Sequence, residues 1–309
     1  MSVAGVRSRH VVTGAAGFLG SHLCEALLRR GHEVVGIDDL STGRRCNLSS
    51  FSRHPAFTFR VADVNDGIPV GGPVDGVFHL ITSRPTATDV DGDGRFPPAP
   101  TGTEQVSEFS RRRHSRLLLV GATSEEYDDP LLAPGRHDDH IDPLMPRSEL
   151  RIARLFNAYG PRMEPEDEPL IMHLLLQALT GQPMSVRGDG TSTRCCCFVS
   201  DLIGGMLRLF HSSLSDVAVD LGDPVERCEH EIVDCVRAVT RTEASTEFRS
   251  GVVEASRRPR PNPALATEHL GWAPHVPLIA GLGSTALWMQ GELGPTVGHA
   301  AAGHERRTA

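Results

Sequence analysis

The chain has 309 residues, 39% of them apolar and 23% charged, and a formal net charge of −8. That balance belongs to a globular protein long enough to bury a full core, as one large domain or two smaller ones; its mild acidity argues against non-specific binding to nucleic acid or anionic lipid. No apolar run approaches the ~18 residues of a spanning helix, and the first residues lack a signal-peptide core.

All basic charge is carried by arginine and histidine: there is no lysine, and the only tyrosines are Tyr127 and Tyr159. The cysteines are odd in number and three are adjacent (Cys195, Cys196, Cys197). That pattern fits reduced thiols in a cytoplasmic protein better than a disulfide framework, and none of the spacings suits zinc.

The first half alternates short apolar runs with helical patterns. Val11-Val12 reads as a buried strand. Leu19, Leu23, Ala26 and Leu27 then fall on one helical face, closed by Gly31. Val34 to Asp38, Phe57 to Val61, Val77 to Ile81 and Leu117 to Val120 read as further strands, Thr82 to Pro100 as a loop, and Thr101 to Arg113 as a helix. Arg151 to Phe156 is the next strand. Strands that are apolar on both sides and separated by helices predict an α/β fold with a parallel sheet covered on both faces.

The second half is less regular. Leu170 to Leu179 and Leu202 to Phe210 read as helices and Val217 to Leu221 as a strand. Val225, Cys228, Ile232, Val236 and Val239 share a helical face, and Ala264 to Leu270 is a short helix ending at Gly271. No element is assigned between Gly271 and Gln290, and the tail after Gln290 is expected to be disordered.

Gly14, Gly17 and Gly20 follow a strand and open a helix. In that place the first allows a tight turn, the second lets the backbone approach a pyrophosphate, and the third lets helix and strand pack closely. The helix start at Phe18 and Leu19 then turns its free N–H groups toward the phosphates. Asp38 ends the second strand, where a carboxylate accepts bonds from an adenosine ribose, which favours NAD over NADP; Arg44 and Arg45 lie close by and weaken that preference. Asp63 and Val64, after the third strand, are placed to reach the adenine edge.

Further stretches join these: Asp38 to Arg44, Val77 to Leu80, Leu117 to Tyr127 (LLLVGATSEEY), Ala153 to Met163 (ARLFNAYGPRM), Gly188 to Arg194, Phe198 to Asp201 and Leu270 to Trp272. Taken with the glycine motif, they resemble the extended short-chain dehydrogenase/reductase (NAD-dependent epimerase/dehydratase) superfamily, and within it the UDP-glucuronate decarboxylases most closely. The resemblance implies a Rossmann-type doubly wound parallel sheet over residues 1–160, with 195–222 returning to it. It implies a smaller C-terminal α/β substrate-binding lobe over 161–290, with 291–309 as tail. It also implies retained NAD and a UDP-sugar oxidised at C4, decarboxylated and reduced again. In that chemistry Thr123 holds the C4 hydroxyl and Glu125 sits near the carboxylate being lost. Asn157 and Arg194 bind the uridine diphosphate, and an arginine among Arg257, Arg258 and Arg260, taken as Arg260, faces the sugar.

The family's Tyr-x-x-x-Lys pair belongs to a helix between the Thr-Ser-Glu strand and the Arg-Leu-Phe-Asn strand. Here that interval, Asp128 to Leu150, holds Pro130, Pro134, Pro143 and Pro146 but neither tyrosine nor lysine. Four residues after Tyr127 and Tyr159 stand Leu131 and Met163. His137 and His140, beside Asp138 and Asp139, are either a substitute base or a polar surface loop; no metal site is expected there. The missing helix also belongs to the family's homodimer interface, so the usual dimer is in doubt. Cys195 to Cys197 are either buried small hydrophobes or a redox-active run. Three readings stay open: a decarboxylase with a displaced base, an inactive protein that binds NAD and a UDP-sugar, and an epimerase or dehydratase acting on another nucleotide sugar.

Overall fold

The computed structural model describes residues 7–80, 102–122, 149–164, 169–215, 217–249 and 260–293. The loop expected at 82–100 lies outside them, as does the tail from 294 onward. The elements run β1 (Arg9–Thr13), α1 (Phe18–Arg29), β2 (Glu33–Asp38), β3 (Phe57–Val61), β4 (Gly76–His79), α2 (Thr103–Arg113), β5 (Arg116–Ala122) and β6 (Leu150–Leu155). They continue with β7 (Ala158–Tyr159), α3 (Pro169–Leu179), β8 (Met184–Arg187), β9 (Thr193–Cys195), β10 (Cys197–Phe198), α4 (Val199–His211) and β11 (Ala218–Leu221). The last are β12 (Glu226–Cys228), α5 (Glu229–Thr240), β13 (Thr246–Arg249), α6 (Ala264–Leu270) and α7 (Leu278–Leu293). No helix among the described residues is long and apolar enough to cross a membrane.

The chain divides into two compact units. The first takes its described residues from Met1–Leu155, Ile203–Leu221 and Ala264–Trp272; the second from Phe156–Leu202, Gly222–Pro263 and Ala273–Ala309.

A seven-stranded sheet in the order β11-β6-β5-β4-β1-β2-β3 organises the first unit, every pairing parallel. The strand order reverses between β1 and β4, and in sheets of this kind ligands bind at such a reversal, beyond the carboxyl ends of the strands. β1 and β4 are interior and almost wholly buried because both faces are covered, and Val11, Val77, Leu117 and Ile152 pack in one cluster with Val106 of α2. β3 is the edge, and its Thr58 and Val61 are exposed. Gly31 takes φ +85° just past the end of α1, the left-handed stop expected of it.

The second unit holds three two-stranded pieces, β10 with β7, β12 with β9, and β13 with β8. Two expectations need correction here. The helix expected to carry Val225 and Cys228 begins only at Glu229. Asp223 accepts the Val225 N–H (3.0 Å) in an Asx-turn, and Glu226 to Cys228 pair with β9 instead. Val225 and Cys228 matched the helical period by coincidence, since a short β ladder outweighs periodicity over so few residues. The second correction is α7, which fills part of the unassigned stretch and runs past Gln290 to Leu293. Its many glycines and alanines hide its pattern.

Candidate functional site

The turn after β1 is built so that only glycine fits. Gly14 stands at φ +68°, and a Cβ on Gly20 would lie 1.9 Å from the Gly14 carbonyl oxygen. A Cβ on Gly17 would come within 3.2 Å of the same oxygen. The turn is pinned from several sides. Ala15 N–H donates to Ile37 O (3.1 Å), and Ala16 O accepts from Arg44 N–H (3.0 Å) and from the buried Asn47 side chain (2.9 Å). Helix α1 starts directly from it with Gly17 as N-cap. No side chain caps this end, and no acid stands in its first turn. The first α-helical bond is Ser21 N–H to Gly17 O (3.1 Å), so the N–H groups of Phe18, Leu19 and Gly20 face outward as an anion-binding end. A dinucleotide pyrophosphate fits these residues.

Asp38 closes the pattern at the end of β2. One carboxylate oxygen accepts from Ala16 N–H (2.9 Å) and the other from Leu40 N–H (2.8 Å). The side chain is buried, and a Cβ on Gly43 would touch it at 2.5 Å, so the loop folds tightly over the acid. Burial raises the Asp38 carboxyl above its ordinary value, while the backbone donors of Leu40, Ala16 and Gly17 pull it back. Each oxygen keeps lone-pair capacity for a ribose hydroxyl. Arg45 stacks on Phe59 (5.5 Å). Asp63 caps the short 3-10 turn after β3, accepting from Asn65 N–H (2.8 Å), and Val64 is buried beneath it. At the end of β4 the buried His79 joins Thr13 (2.7 Å) to Thr103 (3.1 Å), a polar link that a histidine ending an apolar strand signals but that the sequence reading left unused.

Asn157, Arg194 and Arg260 belong to the second unit. Asn157 sits at φ +40°, and its carbonyl accepts from Cys197 N–H (3.1 Å). Arg194, on β9, is nearly buried and directs Nε (3.2 Å) and Nη2 (3.0 Å) to one oxygen of Glu229. Arg260 is exposed and lies 3.5 Å from Glu226. Glu229 was missed in sequence; within a helix expected from Val225 onward it reads as an ordinary polar-face residue.

Tyr159 is sealed in this unit. Its hydroxyl donates to Leu278 O (3.3 Å), and burial drives its phenol far above the ordinary value, so it cannot serve as a base. Cys195 to Cys197 are buried, with burial pushing Cys195 up to about 11 and Cys197 higher still, the state of inert packed thiols. Thr123, Glu125, His137, His140, Arg257 and Arg258 lie outside the described residues. Among the described residues no group of three or more His, Cys, Asp or Glu side chains is arranged to hold a metal.

The model of the NAD dependent epimerase/dehydratase family matches residues 10–150 and 147–220, two stretches that meet where the chain enters β6. UDP-glucuronic acid decarboxylase 1 of Danio rerio is 32% identical over 312 residues, covering 93% of this chain and 74% of its own length. That alignment is longer than the part of this chain within it, so the relative has stretches without counterpart here. The protein of the same name from Arabidopsis thaliana is 33% identical over 89% of this chain and 68% of its own length. Two solved structures share the fold: UDP-glucose 4-epimerase of Thermotoga maritima with UDP-glucose (TM-score 0.75, 20% identity, 92% of this chain, 99% of that one) and the Bordetella bronchiseptica enzyme WbmF with NADH (TM-score 0.76, 19% identity, 94% and 95%). With the glycine turn, Asp38 and the parallel sheet in place, this chain belongs to the NAD dependent epimerase/dehydratase family.

Proposed function

We propose that the chain is a nucleotide-sugar enzyme of the UDP-glucuronate decarboxylase type, holding NAD on the first unit and a UDP-sugar on the second, with its oxidation step slowed. The uncapped start of α1 above the Gly14–Gly20 turn, with Asp38 beside it, carries this reading. Bound NAD supplies reversible hydride acceptance at the sugar C4. The N–H groups of Phe18, Leu19 and Gly20 hold the pyrophosphate, Asp38 accepts from the adenosine ribose, and Asp63 and Val64 flank the adenine. Arg194 and Asn157 hold the diphosphate and Arg260 the sugar end. Thr123 orients the C4 hydroxyl, and Glu125 stands beside the C6 carboxylate. Once C4 is a ketone, the C6 carboxylate is that of a β-keto acid: CO2 leaves, the bonding electron pair passes into the enolate, and C5 takes up a proton.

The slow step is removal of the C4 hydroxyl proton. A positioned base contributes ~10²–10⁴ in rate, and this chain has no lysine to lower a tyrosine's pKa. His137 and His140 are the candidate substitutes. Two observations support a shortened catalytic crossover: the family match breaks at 147–150, and the curated relative carries residues this chain lacks. They equally favour a second reading, a protein that binds NAD and a UDP-sugar with little turnover.

The test is incubation with NAD and UDP-glucuronate, following CO2, NADH absorbance and UDP-xylose. Product that disappears in His137→Ala with His140→Ala establishes the displaced base. Binding of both ligands without product establishes the second reading. Turnover of another UDP- or dTDP-sugar instead would show an epimerase or dehydratase.

A further inference from the structure

Arg194 is the residue on which the proposed diphosphate site rests, and the structure gives it a companion. Nε and Nη2 form the edge of a guanidinium that grips two phosphate oxygens in parallel. In this chain both point at a single carboxylate oxygen, Glu229 Oε1. Glu229 is not a mobile surface acid. It opens α5, its N–H donates to Ser192 O (3.0 Å), and its side chain is only 4% exposed. Its second oxygen, Oε2, is buried with no hydrogen-bond partner among the described residues. A buried acceptor left unpaired is costly, and a ligand's donor that reached it would relieve that cost.

We infer that Glu229 is a specificity-determining counter-ion of Arg194, which makes the site nearly neutral and weakens its preference for a nucleoside diphosphate over the nucleoside. The inference rests on the proposal that Arg194 faces the UDP moiety. A diphosphate approaching Arg194 meets a carboxylate within the same few ångströms as the guanidinium, so attraction and repulsion largely cancel. A neutral ligand face with a donor, such as a ribose hydroxyl or an imide N–H, meets no such penalty and satisfies Oε2. The outcome is a site selective for the nucleoside part and weak on phosphate.

Calorimetric titration of the full chain with UDP and with uridine tests this, using NAD binding and thermal melting to certify the fold. Glu229→Gln keeps the shape and removes the charge. It is expected to tighten UDP by roughly tenfold or more and to leave uridine no tighter, because the nucleoside loses its carboxylate acceptor. Glu229→Asp, which draws the carboxylate back from the guanidinium, is expected to give a smaller gain in the same direction and serves if the glutamine variant folds poorly. UDP affinity that is unchanged or weaker in both variants, while Arg194→Ala abolishes UDP binding, overturns the counter-ion role alone. UDP affinity that survives Arg194→Ala overturns the diphosphate reading beneath it as well.

Discussion

The first unit builds its candidate site from backbone, the second from side chains. Around Gly14 to Gly20 the groups that face a ligand are peptide N–H donors, and Asp38 is held by two more of them. In the second unit the candidate contacts are Arg194 and Arg260, each set against a glutamate. Backbone donors cannot be replaced by mutation, only by bending the turn, so such a site tolerates wide drift elsewhere in the sequence. A side-chain site changes with one residue.

The strongest way to break this contrast is to spoil the turn itself. Gly20→Ala places a methyl 1.9 Å from Gly14 O. We expect NAD binding to vanish and the melting temperature to fall, from strain of at least about 1–3 kcal/mol. Intact NAD affinity in a folded variant would refute the backbone account.

Next come the buried ion pairs, one in each unit. Arg154 lies 2.6 Å from Asp220 in the first, as Arg194 does at 3.0 Å from Glu229 in the second. Arg154→Ala and Arg194→Ala each take the guanidinium from a buried carboxylate and are expected to cost about 3–5 kcal/mol in urea melts. Only the second is expected to abolish UDP binding.

Acid should separate the units further. Burial, with His32 nearby, lowers His10 in the first unit to about 4. A histidine neutral when folded contributes stability above about pH 6.5, lost as pH falls from there toward 4 because the unfolded chain takes up the proton first; the loss reaches about 3 kcal/mol. His32 and His211 shift the same way. Trp272 belongs to the first unit and Trp288 to the second. The fluorescence of Trp288→Phe is therefore expected to report first-unit unfolding at a higher pH than Trp272→Phe reports for the second.

A smaller change is expected from Asp38→Ala, which strands the Ala16 and Leu40 N–H groups at about 1–3 kcal/mol and weakens NAD at least about tenfold by calorimetry. The smallest effect concerns thiols. Iodoacetamide at neutral pH is expected to label the exposed Cys46 and spare Cys195 to Cys197, with no change in NAD affinity. Mass mapping of the modified cysteines checks it.

Legibility followed the same division. β1, β2, β4 and β5 could be read because strands buried on both faces carry short continuous apolar runs, and Gly14 and Gly20 because a side chain there meets a positive φ or the Gly14 carbonyl. In the second unit β12 is three residues long and held by a partner more than thirty positions away, so its Glu226-Arg227-Cys228 carries no local signal and the helical period misled. Arg194 was legible as a motif residue, but its partner was not: Glu229 acquires meaning only when β9 and α5 come together.

Sequence alone was enough to specify the parallel sheet, the glycine turn, the acid ending the second strand and the lack of any lysine, because these depend on composition, period and steric limits that act within a few residues. Tertiary structure alone decided that Tyr159 is walled off from solvent, that the three adjacent thiols are inert, and that the guanidinium of Arg194 is already engaged. Those outcomes turn on desolvation and on distances between residues far apart in the chain, quantities that no local pattern encodes.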